Sequence, residues 1–141
     1  MLEAEAETEE DKIKMDERLK IKQTQDKLVK LLREGRVDLF NIERNNPTYF
    51  FEFPDVDLSN ISLSGANLAD TILTGANLSG SDLSGAVLNR ANLSNANLSF
   101  VTSYSDLKCE KANFMGARIT LRRFGKYLKD HGAINISVFP L

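Results

Sequence analysis

The sequence predicts a mainly β protein whose central part is a coil with corners, five residues to a side. Three observations carry this prediction: leucine recurs at every fifth position, small residues recur two positions earlier, and turn-forming residues follow. Nine leucines stand in unbroken step: Leu58, Leu63, Leu68, Leu73, Leu78, Leu83, Leu88, Leu93 and Leu98. A step of five advances about 500° around an α-helix and alternates faces in a strand, so neither element buries all nine. They share one interior only if the chain turns after each unit.

The positions around each leucine fit such a coil. The residues two positions earlier are mostly small and can share a narrow interior: Val56, Ile61, Ala66, Thr71, Ala76, Ser81, Ala86, Ala91 and Ala96. Ser, Thr, Gly and Asn dominate the two positions that follow each leucine. They suit corners because Gly and Asn tolerate positive φ, and Ser, Asn and Asp side chains bond to nearby backbone groups.

Ala-Asn-Leu triplets recur at residues 66–68, 76–78, 91–93 and 96–98. In these residues the chain resembles the pentapeptide-repeat family, whose signature is Ala, Asp or Asn, Leu and two variable residues. The resemblance covers residues 55 to about 121 and implies a right-handed quadrilateral β-helix, a pentapeptide-repeat solenoid with four repeats to a coil. The resemblance is specific for fold and says little about activity.

The five-residue register slips once, after Leu98. The pattern resumes at Tyr104, Cys109, Phe114 and Ile119, with Thr102, Leu107, Ala112 and Ala117 two positions earlier. One extra residue near Phe100 and Val101, a bulge at one corner, accounts for the slip. Thirteen repeats then make about three coils, and residues about twenty apart stack in four interior columns. The expected columns are Leu58, Leu78, Leu98 and Ile119; Leu63, Leu83 and Tyr104; Leu68, Leu88 and Cys109; and Leu73, Leu93 and Phe114.

The segment before the coil divides into a disordered acidic stretch, residues 1–11, and a helical segment and cap, residues 12–54. A helix is expected from Lys12 to Glu34, ended by Gly35. A sustained heptad is absent, so docking of this helix on its own rod or on a partner is favoured over a coiled coil. A second helix from Asp38 to Asn45 is expected to present three apolar residues to the first coil: Leu39, Phe40 and Ile42.

Aromatic residues then precede the coil, and a basic segment follows it. The aromatic cluster predicts a hydrophobic lid over the open end, rather than a ligand pocket: Tyr49, Phe50, Phe51 and Phe53. Residues 122–141 are expected to cap the other end, with a helix from Leu121 to His131 that Gly132 stops. Its apolar side holds Phe124, Tyr127 and Leu128. Alternating apolar residues predict a strand in the tail: Ile134, Ile136 and Val138.

Composition and charge exclude several classes of protein. The formal net charge is −2, with acid concentrated N-terminally and base C-terminally. No apolar run is long enough to span a bilayer and no apolar signal segment is present, so the expected location is the cytoplasm. Cys109 is expected at an inward position, and His131, the one histidine, on the surface. No cofactor, metal site, small-molecule substrate or catalytic set is expected.

The predicted function is therefore that of a non-catalytic protein-interaction or scaffolding module with an unidentified protein partner. A second copy of the chain, forming a homodimer, is one candidate. Ile72 and Val87 replace the usual outward Asp or Asn and lie on adjacent sides at similar height, so they mark where a surface packs. That surface is either the chain's own N-terminal helix, which is slightly favoured, or a foreign protein.

Two other functions are open. Family members that mimic DNA bind type II topoisomerases, but such mimicry needs a dense negative field, and residues 59–105 carry only Asp70, Asp82 and Arg90 as charges. Nucleic-acid contact through a C-terminal basic group is the second alternative, although a solvated helix face explains the same residues better. The group comprises Arg118, Arg122, Arg123, Lys126 and Lys129.

Overall fold

The computed structural model describes residues 8–49 and 51–138. Within them the chain forms helix α1 (Glu9–Arg33), helix α2 (Val37–Glu43), a four-sided coil and helix α3 (Arg122–Asp130). The helices lie at the two ends of the coil. Each side of the coil contributes a single parallel β-bridge instead of a longer strand, because the chain turns again after five residues.

Parallel bridges join residues twenty apart, so four five-residue sides complete one coil. The outward residues of each side therefore form a column. Side 1 holds Glu52, Ile72, Asn92, Asn113 and Ile134; side 2 holds Asp57, Asn77, Asn97 and Arg118; side 3 holds Ser62, Asp82 and Ser103; side 4 holds Asn67, Val87 and Lys108. After the register slip the spacing between paired residues is twenty-one on every side.

The interior is filled by the repeated leucines and by small residues. All nine leucines from Leu58 to Leu98 are at most 1% exposed, as are Cys109, Phe114 and Ile119. Five alanines two positions before a leucine are equally buried: Ala66, Ala76, Ala86, Ala91 and Ala96. Each repeat thus places one large and one small side chain inward, and the two together fill the narrow interior at the density usual for protein cores.

The corners require backbone in the left-handed region. Every fifth residue from Asp55 to Phe100 has a φ between 55° and 72°. Where a glycine occupies the corner, the Asp or Asn one coil earlier can lie over it, so that a Cβ at Gly75 would overlap the Asp55 carboxylate. Absence of a side chain at Gly75 therefore serves both the conformation and the stacking of the coils.

The register slip lies on side 3, rather than at the corner near Phe100 and Val101. Thr102 N donates to Ser81 O at 2.9 Å, and Ser103 O accepts from Leu83 N at 2.8 Å, so two residues lie opposite Asp82 alone. This is a β-bulge, which re-aims the side chains that follow it. As a result Val101 takes the inward position and Thr102 is exposed, contrary to the expectation from spacing.

Tyr104 is only half-buried, so its placement in the core was wrong in degree. Its ring packs against α3, and its centroid lies 4.8 Å from the ring centroid of Phe124 and 5.1 Å from that of Tyr127. The bulge directly precedes Tyr104, and no further coil covers side 3 above it, so part of the ring stays exposed. Tyr104 thus joins the coil to the C-terminal helix.

Helix α1 begins three residues before the expected start. Thr8 accepts a hydrogen bond from Asp11 N at 3.1 Å and Thr8 N donates to Asp11 Oδ2 at 3.2 Å, which forms a capping box. Residues 9–11, expected to be disordered, are therefore helical, and residues 1–7 lie outside the described residues. The helix ends at Arg33, and Gly35 follows with φ +71°.

Helix α2 is shorter than the expected span of Asp38 to Asn45, and Arg36 rather than Asp38 stands at its N-cap. Phe40 is completely buried and Leu39 is half-buried, but Ile42 is 65% exposed. The expectation that Ile42 faces the coil was wrong, because residues two apart on a helix point to different sides.

The N-terminal helices cover the lower edge of the first coil. Leu28, Leu32 and Phe40 are buried against it, and side chains of the two helices bond to its free backbone groups. Those bonds run from Gln25 to Glu52 O, from Arg33 to Asp57 O, from Asn41 to Gly65 O and from Arg44 to Ala69 O, and Asn67 N donates to Asn41. Phe51 packs edge-on against Phe40 and Phe53 in this lid, whereas Phe50 lies outside the described residues.

Helix α3 and the tail cover the upper end. Phe124 and Leu128 are buried on the last coil, and the Tyr127 hydroxyl donates to Leu107 O at 2.9 Å. The tail pairs with side 1 at Ile134, whose N–H donates to Ala112 O at 2.9 Å. The expected strand is thus reduced to one bridge at Ile134.

Candidate interaction surfaces

The predicted basic residues lie at the upper end of the coil. Arg118 is the last outward residue of side 2, and the other four are exposed on α3. Lys126 pairs with Asp130 at 2.5 Å. Arg118, Arg122 and Arg123 form no ion pair with any residue that the structure describes. Their positive charge is therefore available to a partner.

Ile72 and Val87 lie where the repeat register placed them, on sides 1 and 4, which are adjacent. Ile72 is 37% exposed and Val87 is half-buried. The N-terminal helices bond to the lower edge of the coil and leave Ile72 exposed. The structure does not bring this pair together with the basic residues at the upper end of side 2.

A further exposed surface, which we call the C-terminal face, comprises Phe100, Met115, Arg118, Arg122 and Ile134. Met115 stands at the corner before Arg118, and Thr120 at the corner after it accepts from Phe100 N at 3.2 Å. Phe100, Met115 and Ile134 are 56%, 58% and 46% exposed. Side 2 thus ends in two apolar side chains on either side of an arginine, with Ile134 on the neighbouring side.

Phe100 is the one aromatic residue among the corners with positive φ, at +56°. A bulky side chain in the left-handed region costs about 1–2 kcal/mol. Neighbouring corners avoid most of this cost with Gly or Asn, as at Gly80 and Asn95. Because more than half of its surface faces solvent, Phe100 recovers little of that cost by burial within the chain.

The acidic side chains of the wall are engaged locally. Arg90 contacts Asp70 through two hydrogen bonds of 2.7 Å and lowers the pKa of that carboxyl. The Ser84 hydroxyl and backbone N–H bond to Asp82 and lower its pKa, and Ser59 does the same for Asp57. These carboxylates stabilise corners and leave the wall between them nearly neutral.

Cys109 is buried, and His131 lies on the surface. Burial raises the pKa of the Cys109 thiol to about 11, so the nucleophilic thiolate is scarce at neutral pH. His131 is exposed, stacks on Tyr127 at 3.8 Å, and holds Nδ1 2.8 Å from Tyr127 O. No cluster of His, Cys, Asp or Glu suited to a metal ion occurs among residues 8–49 and 51–138.

An open groove of about 630 Å³ separates α1 from the first coil. Its helix wall carries Arg18, Lys22 and Arg33, and its coil wall carries Asp55 and Asp57. The two walls have opposite charge and face each other, so the groove has no single electrostatic preference for a ligand.

A sequence model of pentapeptide repeats matches residues 53–90 and 71–102, with eight copies of the repeat. This match falls on the part of the coil where bridges are spaced by twenty residues. Residues 53–102 therefore consist of repeats of the pentapeptide-repeat family. Comparison with curated proteins gives no significant match.

Solved structures of other pentapeptide-repeat proteins are similar to this one. HetL from the cyanobacterium Nostoc sp. PCC 7120, a protein involved in regulating heterocyst differentiation, is 28% identical over 56% of this chain, with a TM-score of 0.39. Rfr23 from Cyanothece 51142 is 24% identical over 64% of it, with a TM-score of 0.40. A thylakoid-lumen protein of Arabidopsis thaliana is 23% identical over 58% of it, with a TM-score of 0.31. The chain spans 35%, 60% and 64% of these three proteins.

The five-residue repeat does not predict the exposure of three apolar residues of this pentapeptide-repeat protein: Phe100, Met115 and Ile134. Phe100 and Met115 occupy variable positions of the repeat, where the leucine period carries no information, and Ile134 lies in the tail. Phe100 carries one usable signal, because it stands at a corner where the other repeats place Gly, Asn, Asp or a basic residue. Of the helices that the structure describes, none has the length and apolar character to cross a membrane.

Proposed function

We propose that this pentapeptide-repeat protein is a non-catalytic interaction or scaffolding module of the cytoplasm, built on a right-handed coil of the family's type. The observation that carries the proposal is the contrast between a filled interior and apolar side chains held outward at fixed places. Leucine and alanine occupy the interior, which leaves the outer wall and the ends for recognition.

The outer wall supports a protein partner better than a charged polymer. Ile72, Phe100, Met115 and Ile134 are large apolar residues that are more than a third exposed on the coil and tail. Exposed apolar groups within a polar surround are typical of protein contacts, and arginine beside them is enriched at interfaces. Arg118 and Arg122 supply that arginine at the C-terminal face.

Mimicry of DNA for a type II topoisomerase receives no support. The wall from residue 59 to residue 105 carries three charges, and two of these, Asp70 and Arg90, neutralise each other at 2.7 Å. A duplex presents one negative charge per about 1.7 Å of its axis, which this wall does not approach.

Nucleic-acid contact stays a prediction that rests on Arg118, Arg122 and Arg123, which have no ion-pair partner among the described residues. If these residues contact phosphates, the protein is expected to be retained on duplex DNA at low salt and to be released as the salt concentration rises. Retention that is absent at low salt, or unchanged by Arg122→Ala, contradicts this alternative.

Affinity capture from the native cell, followed by mass spectrometry, tests the main proposal. The bait is compared with a Met115→Ser, Ile134→Ser variant and with an Ile42→Ser control, whose exposed isoleucine lies on α2. We expect a protein retained by the wild type and the control and depleted by the variant, with equal melting temperatures. Failure to enrich any protein, a second copy included, contradicts the proposal.

A further inference from the structure

The upper end of side 2 carries positive charge alone. The chain passes along this side and its two corners at residues 74–80 and 94–100 without a charged residue, and the last pass, residues 115–121, contains only Arg118. Arg122 follows at the start of α3. Neither arginine forms an ion pair with a residue that the structure describes. This end of side 2 therefore attracts anionic groups.

The acidic residues of the upper end are engaged or lie elsewhere. Asp106 and Glu110 stand on either side of Lys108, the outward residue of side 4, which is opposite side 2. Asp130 pairs with Lys126 within α3 at 2.5 Å. The carboxylates that the structure describes here are thus paired or on the far side of the coil, and the charge of the two arginines is left for a partner.

Exposed apolar side chains surround these arginines in the C-terminal face. Met115 at the corner before side 2 and Phe100 at the corner after it, one coil lower, are each more than half exposed. Aromatic residues, methionine and arginine are the types enriched at protein interfaces. Burial by a partner also gives a reason for an aromatic side chain at Phe100, where the coils below place Asn60 and Gly80 in the same left-handed conformation.

We propose that the C-terminal face binds an acidic segment of a different protein, in which apolar side chains stand on both sides of a carboxylate. The carboxylate accepts hydrogen bonds from Arg118 or Arg122, because a planar guanidinium matches two carboxylate oxygens. The apolar side chains pack on Phe100 and Met115. The inference rests on the proposed interaction function and names the chemistry of its partner.

A protein segment suits the face better than a phosphate polymer or a bilayer does. Arginine also pairs with phosphates, but a hydrated nucleic-acid backbone leaves Met115 and Ile134 uncovered. A bilayer is flat, whereas Arg118 and Ile134 stand on adjacent sides of the coil and face different directions. A peptide can follow the corner at Met115 from one side to the next and contact both.

Selection of displayed random peptides on the immobilised full chain tests the inference. The wild type is expected to enrich peptides that combine Asp or Glu with large apolar residues, relative to the input library. Arg118→Gln combined with Arg122→Gln is expected to lose the enrichment in acidic residues. The matched control is Lys108→Gln combined with Lys129→Gln, which likewise removes one outward cation of the coil and one exposed cation of α3.

The apolar contribution has its own variant and control. Phe100→Asn is expected to lose the enriched peptides and to keep the fold, with an equal or higher melting temperature, because Asn60 and Asn95 hold the same corner conformation, with φ of 55° and 59°. Ile42→Asn, which removes an apolar residue exposed on α2, is expected to select the same peptides as the wild type.

Fluorescence anisotropy with the most enriched peptide then measures the affinity. Loss of each arginine is expected to weaken binding by up to about fivefold, as for an exposed ion pair. Loss of the Phe100 side chain is expected to weaken it by about tenfold, as for an aromatic residue buried at an interface. Added salt is expected to weaken binding to the wild type and to have little effect on the double arginine variant.

Four results overturn the inference. The first is the absence of enriched peptides, or enrichment without an excess of Asp or Glu. The second is equal affinity of Phe100→Asn and the wild type for the peptide. The third is binding of a short DNA duplex, or of vesicles of phosphatidylcholine and phosphatidylserine, that Phe100→Asn abolishes. The fourth is a wild type at twice the chain mass of 15.8 kDa in light scattering that Phe100→Asn reduces to the single mass.

These results are distinguishable from failure of the proposed function. Where one of them occurs while affinity capture still loses a protein on replacement of Met115 and Ile134, the inference alone fails and the proposed function stands. Where the capture enriches no protein and the display selects no peptide, both fail.

Discussion

At the scale of single residues, the coil depends on what stands at each corner as much as on its leucines. Gly75 and Gly65 both occupy corners with φ near +70°. The Asp55 carboxylate of the previous coil lies over Gly75, whereas nothing lies within 4 Å of a Cβ at Gly65. The two glycines thus separate the cost of a positive φ from the cost of crowding between coils.

Alanine at the two positions is expected to destabilise unequally. Gly65→Ala is expected to lower the free energy of unfolding by about 1 kcal/mol, because alanine disfavours the left-handed backbone. Gly75→Ala is expected to lower it further, because the new Cβ must also displace the Asp55 side chain. Chemical denaturation of the two variants measures the difference. Equal losses in the free energy of unfolding would show that Asp55 moves aside without cost.

At the scale of elements, the helices at the lower end act as a hydrogen-bonding cap for the coil. The Asn41 side chain donates to Gly65 O at 3.0 Å and accepts from Asn67 N at 2.8 Å, and in the second bond its amide oxygen takes the place that Ala66 O has for Val87 N one coil higher. The sequence does not reveal this role, because the apolar residues of α2 are the only ones in it with an evident pattern.

Replacing Asn41 by alanine is expected to cost about 1–3 kcal/mol, because two edge groups lose their partner together. The matched control is Asn45→Ala, since Asn45 is exposed just after α2. Amide hydrogen exchange reports on the site directly, and Asn67 is expected to lose protection in the first variant alone. Unchanged exchange at Asn67 would assign its protection to burial instead.

The elements also show where sequence reasoning ends. The leucine period predicted the inward positions from Leu58 to Leu98, since an inward side chain at every fifth place leaves a regular trace. It misplaced the slip, because a bulge at Thr102 and Ser103 and a corner insertion near Phe100 leave the same gap between leucines. The surface was least predictable: exposure of Phe100, Met115 and Ile134 depends on what neighbouring coils and the tail leave uncovered.

At the scale of the whole molecule, α1 divides into two halves with different tasks. The half that contains Leu28, Leu32 and Arg33 closes the open end of the coil, whereas residues 9–23 form no hydrogen bond or ion pair outside α1 and its N-cap with any residue that the structure describes. A coil deprived of its closing half exposes Phe53, Leu58 and free backbone groups, which is a template for edge-to-edge association.

Two truncations separate these tasks. Removal of residues 1–22 is expected to leave a folded, soluble protein with an unchanged coil, because every described residue that it removes, 8–22, is exposed. Removal of residues 1–44 also strips Leu28, Leu32 and Phe40 and the bonds to Glu52 O, Asp57 O and Gly65 O, and is expected to produce aggregates. Sedimentation velocity and thioflavin fluorescence distinguish the products. A soluble, cooperatively melting protein after the longer truncation would mean that the coil closes its own end, and α1 and α2 would then be free to serve a partner.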